Sequence, residues 1–310
     1  MIVDWQGVFP AVTTQFTENG QLDIPTFLKS IESQIEGGVH GLIIGGSLGE
    51  SSTLSQSERL ELASVTIKHI NRRIPVILNI AEGATGNAVR LANRAQESGV
   101  HGLMLLPPMM YKPTDMETVN YFKSVASNTD LPIIVYNNPV DYKIEITIPM
   151  FEELQQVENI QAVKDSTRDV SNVARMKNHF GDRFKVLCGV DTLAMESLMT
   201  GADGWVAGLV NAFPKETVAI YQLAKAGRIE EAQAINRWFL PILELDLNAQ
   251  LVQNIKLAES MTGMGTENVR LPRQPLQGAE RERIISILED GLKSRPELPD
   301  YLNIEISADS

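Results

Sequence analysis

The chain has 310 residues, of which 43% are apolar and 21% are charged, a composition that describes a globular protein with one large domain or two small ones. Its formal net charge of −12 argues against nucleic acid and anionic membranes as partners. Cys188 is the single cysteine, and the four histidines are dispersed, so we expect no intramolecular disulfide, no thiolate zinc site and no metal cluster.

The N-terminal segment carries an aspartate and a tryptophan where a signal peptide would have a basic stretch before an apolar core. No apolar run approaches the ~20 residues that a membrane span needs. A single cysteine is also typical of a reducing compartment. These features predict a cytoplasmic protein that does not enter a membrane.

Eight short apolar runs follow one another along the first two thirds of the chain, each with a turn and an amphipathic helical stretch behind it. The spacing between runs, roughly 20 to 35 residues, leaves room for a crossover helix and predicts parallel βα units. Eight nearly even repeats favour an α/β fold of the closed (β/α)8 TIM barrel type over an open doubly wound sheet. The predicted strands are 7–14, 39–44, 74–80, 102–106, 133–136, 160–163, 184–187 and 205–207.

Several helix starts are marked in the sequence. Capping boxes occur at 55–58 (Ser-Gln-Ser-Glu) and 114–117 (Thr-Asp-Met-Glu), where side chains satisfy otherwise unpaired backbone groups. Asp23, just before an Ile-Pro pair, is typical of an N-cap with proline in the first turn.

Beyond residue 214 the pattern loses its strands and predicts helices over 215–226, 229–247, 250–261 and 278–293. This is more helix than closing a barrel requires. We therefore expect a catalytic barrel over 1–226, a C-terminal helical appendage over 227–295 that serves assembly, and an acidic tail over 296–310 whose lack of periodicity is typical of disorder.

Candidate functional residues follow predicted strands, at the end of the barrel where active sites of this fold lie. Lys164 ends an apolar run and would project into the barrel mouth. A partly desolvated ammonium has a lowered pKa, which frees the amine to attack a carbonyl and form a Schiff base. The alternative is that Lys164 pairs with an acid at the strand end and does no chemistry.

The glycine-rich segment 45–52 lacks the ending of a P-loop and the spacing of a dinucleotide fingerprint, so no cofactor is expected. The amides of Ser47 and Leu48 could hold a carboxylate; a tight turn without a ligand is the alternative. Tyr136 lies where a phenol could transfer protons beside an imine; the alternative is a buried tyrosine with a satisfied hydroxyl.

These motifs occur in a fixed order at the ends of the predicted strands. In that order they resemble the dihydrodipicolinate synthase and N-acetylneuraminate lyase family of class I, Schiff-base-forming enzymes. The resemblance covers almost the whole chain. It is carried by 46–51 with Leu54, Glu58 and Arg59, by 136–139, 163–166 and 189–191, by 201–204 with Asn211, and by 270–272.

The resemblance implies that Lys164 forms an imine with the keto carbon of a 2-oxo acid such as pyruvate. It implies that Tyr136 transfers protons with Ser47 as the hydroxyl-bearing relay residue, and that the Ser47 and Leu48 amides receive the substrate carboxylate. Gly46, Asn138 and Val206 are further substrate-binding candidates, with Val206 near the imine. The implied assembly is a homotetramer, a dimer of dimers, with the C-terminal helices outside the barrel.

The chain departs from true dihydrodipicolinate synthases at several positions. Those enzymes have two adjacent threonines at Ser47 and Leu48, and lend a neighbouring subunit a tyrosine from the loop after strand four, where Tyr111 lies one position off. They also have an arginine where this chain has Asp141. A carboxylate there would repel that of aspartate semialdehyde, reversing an interaction of about 1.5–3 kcal/mol.

The sequence therefore predicts a catabolic lyase that dehydrates or deaminates a 2-oxo acid or cyclic imino acid, with Asp141 accepting hydrogen bonds from a substrate hydroxyl. Examples are a 1-pyrroline-4-hydroxy-2-carboxylate deaminase and a 2-keto-3-deoxy sugar acid dehydratase or aldolase. One alternative is a dihydrodipicolinate synthase that condenses pyruvate with aspartate semialdehyde. Another is a ligand-binding barrel without catalysis.

Overall fold

Eight short parallel strands alternate with helices in the computed structural model, which describes residues 1–306. Their residues are buried almost without exception, as expected for strands covered on both faces. The strands are β1 (Gly7–Pro10), β2 (Leu42–Ile44), β3 (Val76–Ile80), β4 (Gly102–Leu105), β5 (Ile133–Asn137), β6 (Ile160–Asp165), β7 (Lys185–Cys188) and β8 (Gly204–Ala207).

The sheet closes on itself. Each strand from β2 to β8 pairs with its sequence neighbour, and β1 pairs with β8. Between β1 and β2 the contact is a parallel bridge of Ala11 with Ile43, next to a 2.9 Å hydrogen bond from the Val12 amide to the Ile43 carbonyl. The predicted (β/α)8 TIM barrel is confirmed.

Several predicted runs are longer than the strands observed, the first of them by four residues. The ladder of β1 ends at Pro10, yet Val12, Thr13 and Thr14 are fully or almost fully buried. An apolar run indicates that its residues are buried, whether or not they pair in a strand. The buried loops at the barrel mouth therefore extend the apolar pattern beyond the last paired residue of the strand.

Helices cover the outside of the barrel and continue beyond it. They are α1 (Ile24–Glu36), α2 (Gln56–Ile70), α3 (Thr85–Glu97), α4 (Asp115–Ala126), α5 (Pro139–Tyr142), α6 (Ile148–Leu154), α7 (Ser171–Phe180), α8 (Ala194–Met199), α9 (Pro214–Lys225), α10 (Ile229–Leu243), α11 (Leu251–Thr262) and α12 (Gly278–Lys293). Within residues 1–306, none has both the length and the apolar character needed to cross a bilayer.

The predicted helix starts are confirmed. Ser55 Oγ accepts a 3.2 Å hydrogen bond from the Glu58 amide, and Thr114 Oγ1 a 3.3 Å bond from the Glu117 amide. At the start of α1, Asp23 Oδ1 accepts a 3.1 Å bond from the Thr26 amide.

The C-terminal helices do more than extend the outside of the barrel. The predicted helix 229–247 is wrong at its end, because α10 stops at Leu243 and residues 244–247 form a tighter 3-10 turn. From the following α11, the fully buried Lys256 forms a 3.0 Å ion pair with Glu50 in the loop after β2. The turn and α11 therefore lie over the barrel mouth.

The segment after α12 packs back onto the barrel. Tyr301 is buried, and its hydroxyl donates a 3.2 Å hydrogen bond to the carbonyl of Gly37 after α1. An aromatic anchor therefore holds this part of the acidic tail against the barrel, while the expected disorder of the tail stays a prediction. Residues 307–310 lie outside the described residues.

Candidate active site

A cavity of about 110 Å³ opens at the carboxyl ends of the strands. Its lining includes all eight of the residues that the sequence proposed for the site. These are Gly46, Ser47, Leu48, Tyr136, Asn138, Asp141, Lys164 and Val206. The barrel thus brings together residues from β5, β6 and β8 with residues from the segments that follow β2 and β5, and their roles remain predictions.

Lys164 lies on β6 directly opposite Tyr136 on β5, as register partners. Its side chain is buried, and Nζ lies 4.1 Å from the centroid of the Tyr136 ring. Burial lowers the pKa of Lys164, while the attraction of Tyr142, Asp246 and Asp191 partly offsets this. Burial thus favours the neutral amine, the form that attacks a carbonyl.

Tyr136 is held by a neighbouring amide. Asn138 Nδ2 donates a 3.0 Å hydrogen bond to the Tyr136 hydroxyl and a 2.7 Å bond to Asp141 Oδ2. Burial raises the pKa of Tyr136, so its resting form is the phenol. Asn138 thus positions the phenol and ties it to Asp141, a second role besides the predicted contact with substrate.

The loop after β2 has a backbone shape that needs glycine. Gly45 has a φ of +66°, and a Cβ on Gly49 would come within 2.7 Å of the Val12 carbonyl oxygen. Among the described residues, the amides of Ser47 and Leu48 donate to no backbone carbonyl. They are available to bind a carboxylate, so the anion site at these amides stays a prediction.

Asp141 faces a cation that the sequence analysis missed. Its side chain is 56% exposed and lies 3.9 Å from Arg168 Nη2, and both residues line the cavity. Solvent and the guanidinium both weaken the repulsion expected from Asp141. The cavity lining therefore holds a cation beside Asp141, and its guanidinium comes from the loop after β6.

Arg168 adopts a conformation that few arginines do, with a φ of +62°. Left-handed backbone at a non-glycine residue costs free energy and often marks a functional position. The only sequence signal was its place four residues after Lys164.

A second missed residue comes from the C-terminal region. Asp246, in the turn after α10, lines the cavity with Leu247 and Leu251. A Cβ on Gly208 would lie 3.0 Å from Asp246 Oδ1 and 3.4 Å from Asp191 Oδ2. Burial raises the pKa of Asp246 well above its usual value, and the nearby Asp191 raises it further.

Asp191 has a structural role beside the cavity. Its carboxylate accepts hydrogen bonds of 2.9 Å from Trp205 Nε1 and 2.7 Å from the Leu209 amide. It thereby fixes the end of β8, next to Val206.

A further phenol enters the cavity from α5. The hydroxyl of Tyr142 lies 2.5 Å from Ser47 Oγ, and its ring packs edge-on against Tyr136 with centroids 5.5 Å apart. Tyr111 is 54% exposed, and the cavity lining does not include it. Two phenols and a serine hydroxyl therefore lie on one wall near Lys164.

Comparisons with known proteins agree with this geometry. A family model described as the dihydrodipicolinate synthetase family matches residues 4–290. The 4-hydroxy-tetrahydrodipicolinate synthase of Geotalea daltonii is 29% identical over 290 residues, 92% of this chain and 98% of the relative. That of Bartonella bacilliformis is 30% identical over 285 residues, 92% of this chain and 97% of the relative.

Solved structures have the same fold. Dihydrodipicolinate synthase DapA-2 from Bacillus anthracis superposes with a TM-score of 0.90 at 29% identity, covering 96% of this chain and all of its own. YagE from Escherichia coli K12, a prophage protein of the dihydrodipicolinic acid synthase family in complex with pyruvate, gives 0.88 at 28% identity, covering 94% of this chain and 99% of its own.

Proposed function

Because this chain belongs to the dihydrodipicolinate synthetase family, whose members are class I lyases and aldolases, we propose that it eliminates water or an amine from a 2-oxo acid or a cyclic imino acid held as an imine on Lys164. Two structure neighbours, YagE and the synthase of Acinetobacter baumannii, are complexes with pyruvate. That common ligand supports a 2-oxo acid as the part of the substrate that reacts with Lys164.

The proposal for the distal half of the substrate rests on two acidic side chains in the cavity lining, Asp141 and Asp246. Carboxylates accept hydrogen bonds from hydroxyl and ring N–H groups, and such charge-assisted bonds are stronger than neutral ones. With Arg168 opposite Asp141, the distal region holds two acids and one cation. This balance favours a hydroxylated, uncharged distal end.

The reaction then proceeds in four steps. The Lys164 amine attacks the keto carbon of a 2-oxo acid with loss of water, or the C=N carbon of a cyclic imino acid with release of the ring nitrogen as an amine. Either attack gives a cationic imine that acidifies the adjacent C–H. Tyr136 accepts that proton as it gives up its own hydroxyl proton, the C–H electron pair forms the C=C bond of an enamine, and the nitrogen takes the displaced pair. When that pair re-forms the imine, the hydroxyl or amino group one carbon further on takes up the released proton and leaves as water or an amine. Hydrolysis of the imine restores Lys164.

A second candidate is a dihydrodipicolinate synthase, which the names of the relatives and one structural observation favour. Arg168 lines the cavity, and its guanidinium is the residue type that binds a carboxylate such as that of aspartate semialdehyde. Against it, Asp141 lies 3.9 Å from that guanidinium and competes for it.

The test is borohydride reduction in the presence of pyruvate, a 2-keto-3-deoxy sugar acid or 1-pyrroline-4-hydroxy-2-carboxylate, followed by mass mapping. We expect added mass on Lys164 and none in Lys164→Ala, while Lys68→Ala on the exposed face of α2 behaves as wild type. If none of the three compounds adds mass to Lys164, the protein would be a barrel that binds a ligand without forming an imine. Rapid condensation of pyruvate with aspartate semialdehyde, with no turnover of the other two, would establish the synthase instead.

We further propose a homotetramer in the cytoplasm. The family is typically homotetrameric, and light scattering of the purified chain tests the assembly. The proposed boundaries remain 1–226 for the barrel and 227–295 for the appendage. Because Asp246 and Leu251 line the cavity, the appendage contributes to the site as well as to assembly.

A further inference from the structure

The turn after α10 brings one acid to the cavity without a hydrogen-bond partner. Asp246 lines the cavity from residues 244–247, and within residues 1–306 its carboxyl oxygens accept no hydrogen bond. Its Oδ1 lies beside Gly208, since a Cβ on that glycine would come within 3.0 Å of it. Polar groups inside a protein usually find a partner, and a catalytic role is one reason for an exception.

The neighbouring acid, Asp191, differs in this respect. A Cβ on Gly208 would also lie 3.4 Å from Asp191 Oδ2, so both carboxyl groups flank the same glycine. Asp191 accepts hydrogen bonds from the indole of Trp205 and from the amides of Gly208 and Leu209. These bonds favour the ionised form of Asp191, and its charge disfavours a second charge on Asp246. A proton shared between the two acids therefore belongs on Asp246.

Burial acts in the same direction as this contrast. It raises the pKa of Asp246 well above its usual value, and the charge of Asp191 raises it further. Burial also raises the pKa of Asp191, but the hydrogen bonds to that carboxylate lower it. A protonated carboxyl group donates one hydrogen bond and still accepts others. Asp246 can therefore hold a substrate hydroxyl and also give it a proton.

We propose that Asp246 is the acid that protonates the departing hydroxyl or amino group. The inference rests on the proposed function, because it assumes a substrate held as an imine on Lys164. As the nitrogen pair re-forms the imine, the enamine C=C pair moves one bond further along and expels the leaving group. That group takes the proton of Asp246 and departs as water or an amine. The Asp246 carboxylate then takes a proton from solvent, which balances the proton that Tyr136 gives up.

The test compares two probes that differ in whether the leaving group needs a proton. 4-Hydroxy-2-oxobutanoate must lose water, whereas 4-chloro-2-oxobutanoate loses chloride, a stable anion. Both give 2-oxobut-3-enoate, which an added thiol traps for measurement by mass spectrometry, and the rate without protein is subtracted. Asp246→Asn keeps the size of the side chain and removes its acidity.

We expect Asp246→Asn to slow loss of water by about 100-fold or more and loss of chloride by about threefold or less, because general acids contribute about 10²- to 10⁴-fold. Any effect of the variant on Lys164 changes both rates alike, so the ratio of the two rates isolates the departure of the leaving group. Glu244→Gln is the matched control, since it removes an exposed carboxylate from the same turn. It should change neither rate.

The pH profile gives a second readout. Because the proposed acid acts in its protonated form, loss of water should fall as the pH rises through the pKa of Asp246, and loss of chloride should not. Other charged or titratable groups face Asp246 from β5, β6, α5 and the segments after β6 and β7, and they are Tyr136, Lys164, Asp141, Arg168 and Asp191. Their titration acts on both probes, so the difference between the two profiles reports Asp246.

Equal slowing of both probes in Asp246→Asn would overturn the inference and make Asp246 a positioning residue, and unchanged loss of water would overturn it as well. In both cases wild-type elimination, with borohydride trapping of pyruvate on Lys164, would leave the proposed function standing. A wild type that traps pyruvate but eliminates neither group, or chloride alone, would overturn the proposed elimination together with this inference. Failure of the wild type to trap pyruvate would overturn the imine itself.

Discussion

Nζ of Lys164 lies 4.1 Å from the centroid of the Tyr136 ring, and the two residues are register partners on adjacent strands. Paired strands hold side chains more precisely than loops do. The separation between proposed nucleophile and proposed proton carrier is therefore set by the barrel. Gly189, at the end of β7, completes this support, because its amide donates a 2.8 Å hydrogen bond to the Asp165 carbonyl after Lys164.

Gly189→Ala should displace the Lys164 side chain. A Cβ at this position would come within 2.7 Å of Lys164 Cε and would also collide with Ser166. Because small displacements of a reacting group are costly, we expect the initial rate of pyruvate trapping to fall at least about tenfold. Gly86→Ala is the control, since its nearest neighbour would lie at 3.6 Å in ordinary contact. Equal rates in both variants would mean that Lys164 tolerates the movement.

Asp246→Asn should change the pH dependence of imine formation. Imine formation needs the free amine, so its rate rises with pH through the pKa of Lys164 and then levels. Burial lowers that pKa, while Asp246 in its ionised form raises it, although burial raises the pKa of Asp246 as well. Removing the carboxyl group should therefore move the inflexion to lower pH. Glu230→Gln, on the exposed face of α10, is the matched control. An inflexion that moves to higher pH would contradict the proposed electrostatics.

Local patterns and motifs were enough to predict the barrel and the residues at its strand ends. Lys164 and Ser47 follow predicted strands, Tyr136 is the last residue of one, and parallel strands bring their carboxyl ends together. Asp246 could not be found this way, since it reaches the cavity only through the turn after α10. Its position depends on how the C-terminal helices pack, which no local periodicity encodes.

Arg168 and Tyr142 were missed for a different reason. Both lie in segments that follow strands, Arg168 in a loop and Tyr142 in the short helix α5. Their directions depend on backbone conformations that the sequence does not mark. Arg168 turns into the cavity from a left-handed residue, and Tyr142 is placed by a single helical turn capped by Asn138. Asp141 lies in the cavity lining as the sequence analysis expected, but its partner Arg168 was not foreseen.

Asp141→Asn and Arg168→Ala should separate the two candidate substrates. If the distal end is hydroxylated, Asp141→Asn should lower kcat/KM about fivefold, the loss of a hydrogen bond of about 1 kcal/mol at an exposed carboxylate. Arg168→Ala should then change kcat/KM less than twofold. If aspartate semialdehyde is the true substrate, the order of the two effects reverses, and Arg168→Ala should lower kcat/KM about tenfold or more. Steady-state kinetics with both substrates distinguishes these outcomes.

A buried carboxyl away from the cavity gives a prediction about stability. Glu259, on α11, is fully buried and accepts a hydrogen bond from Thr13 Oγ1, which lies 2.8 Å from both of its carboxyl oxygens. Burial raises its pKa from 4.5 to about 7, although hydrogen bonds and the nearby Lys256 act in the opposite direction. The folded protein therefore binds a proton that the unfolded chain releases above pH 4.5.

The sign follows from linkage. Because the folded pKa is the higher one, the protonated carboxyl stabilises the fold fully below pH 4.5, and this contribution is lost as the pH rises to 7. A shift of this size corresponds to about 3 kcal/mol. Urea unfolding of the wild type and Glu259→Gln, at one protein concentration, should show their difference in free energy of unfolding falling by about 2–3 kcal/mol between pH 5 and 8. His40, whose pKa burial lowers to about 4, titrates equally in both proteins and cancels. A pH-independent difference would show that Glu259 is ionised in the fold throughout this range.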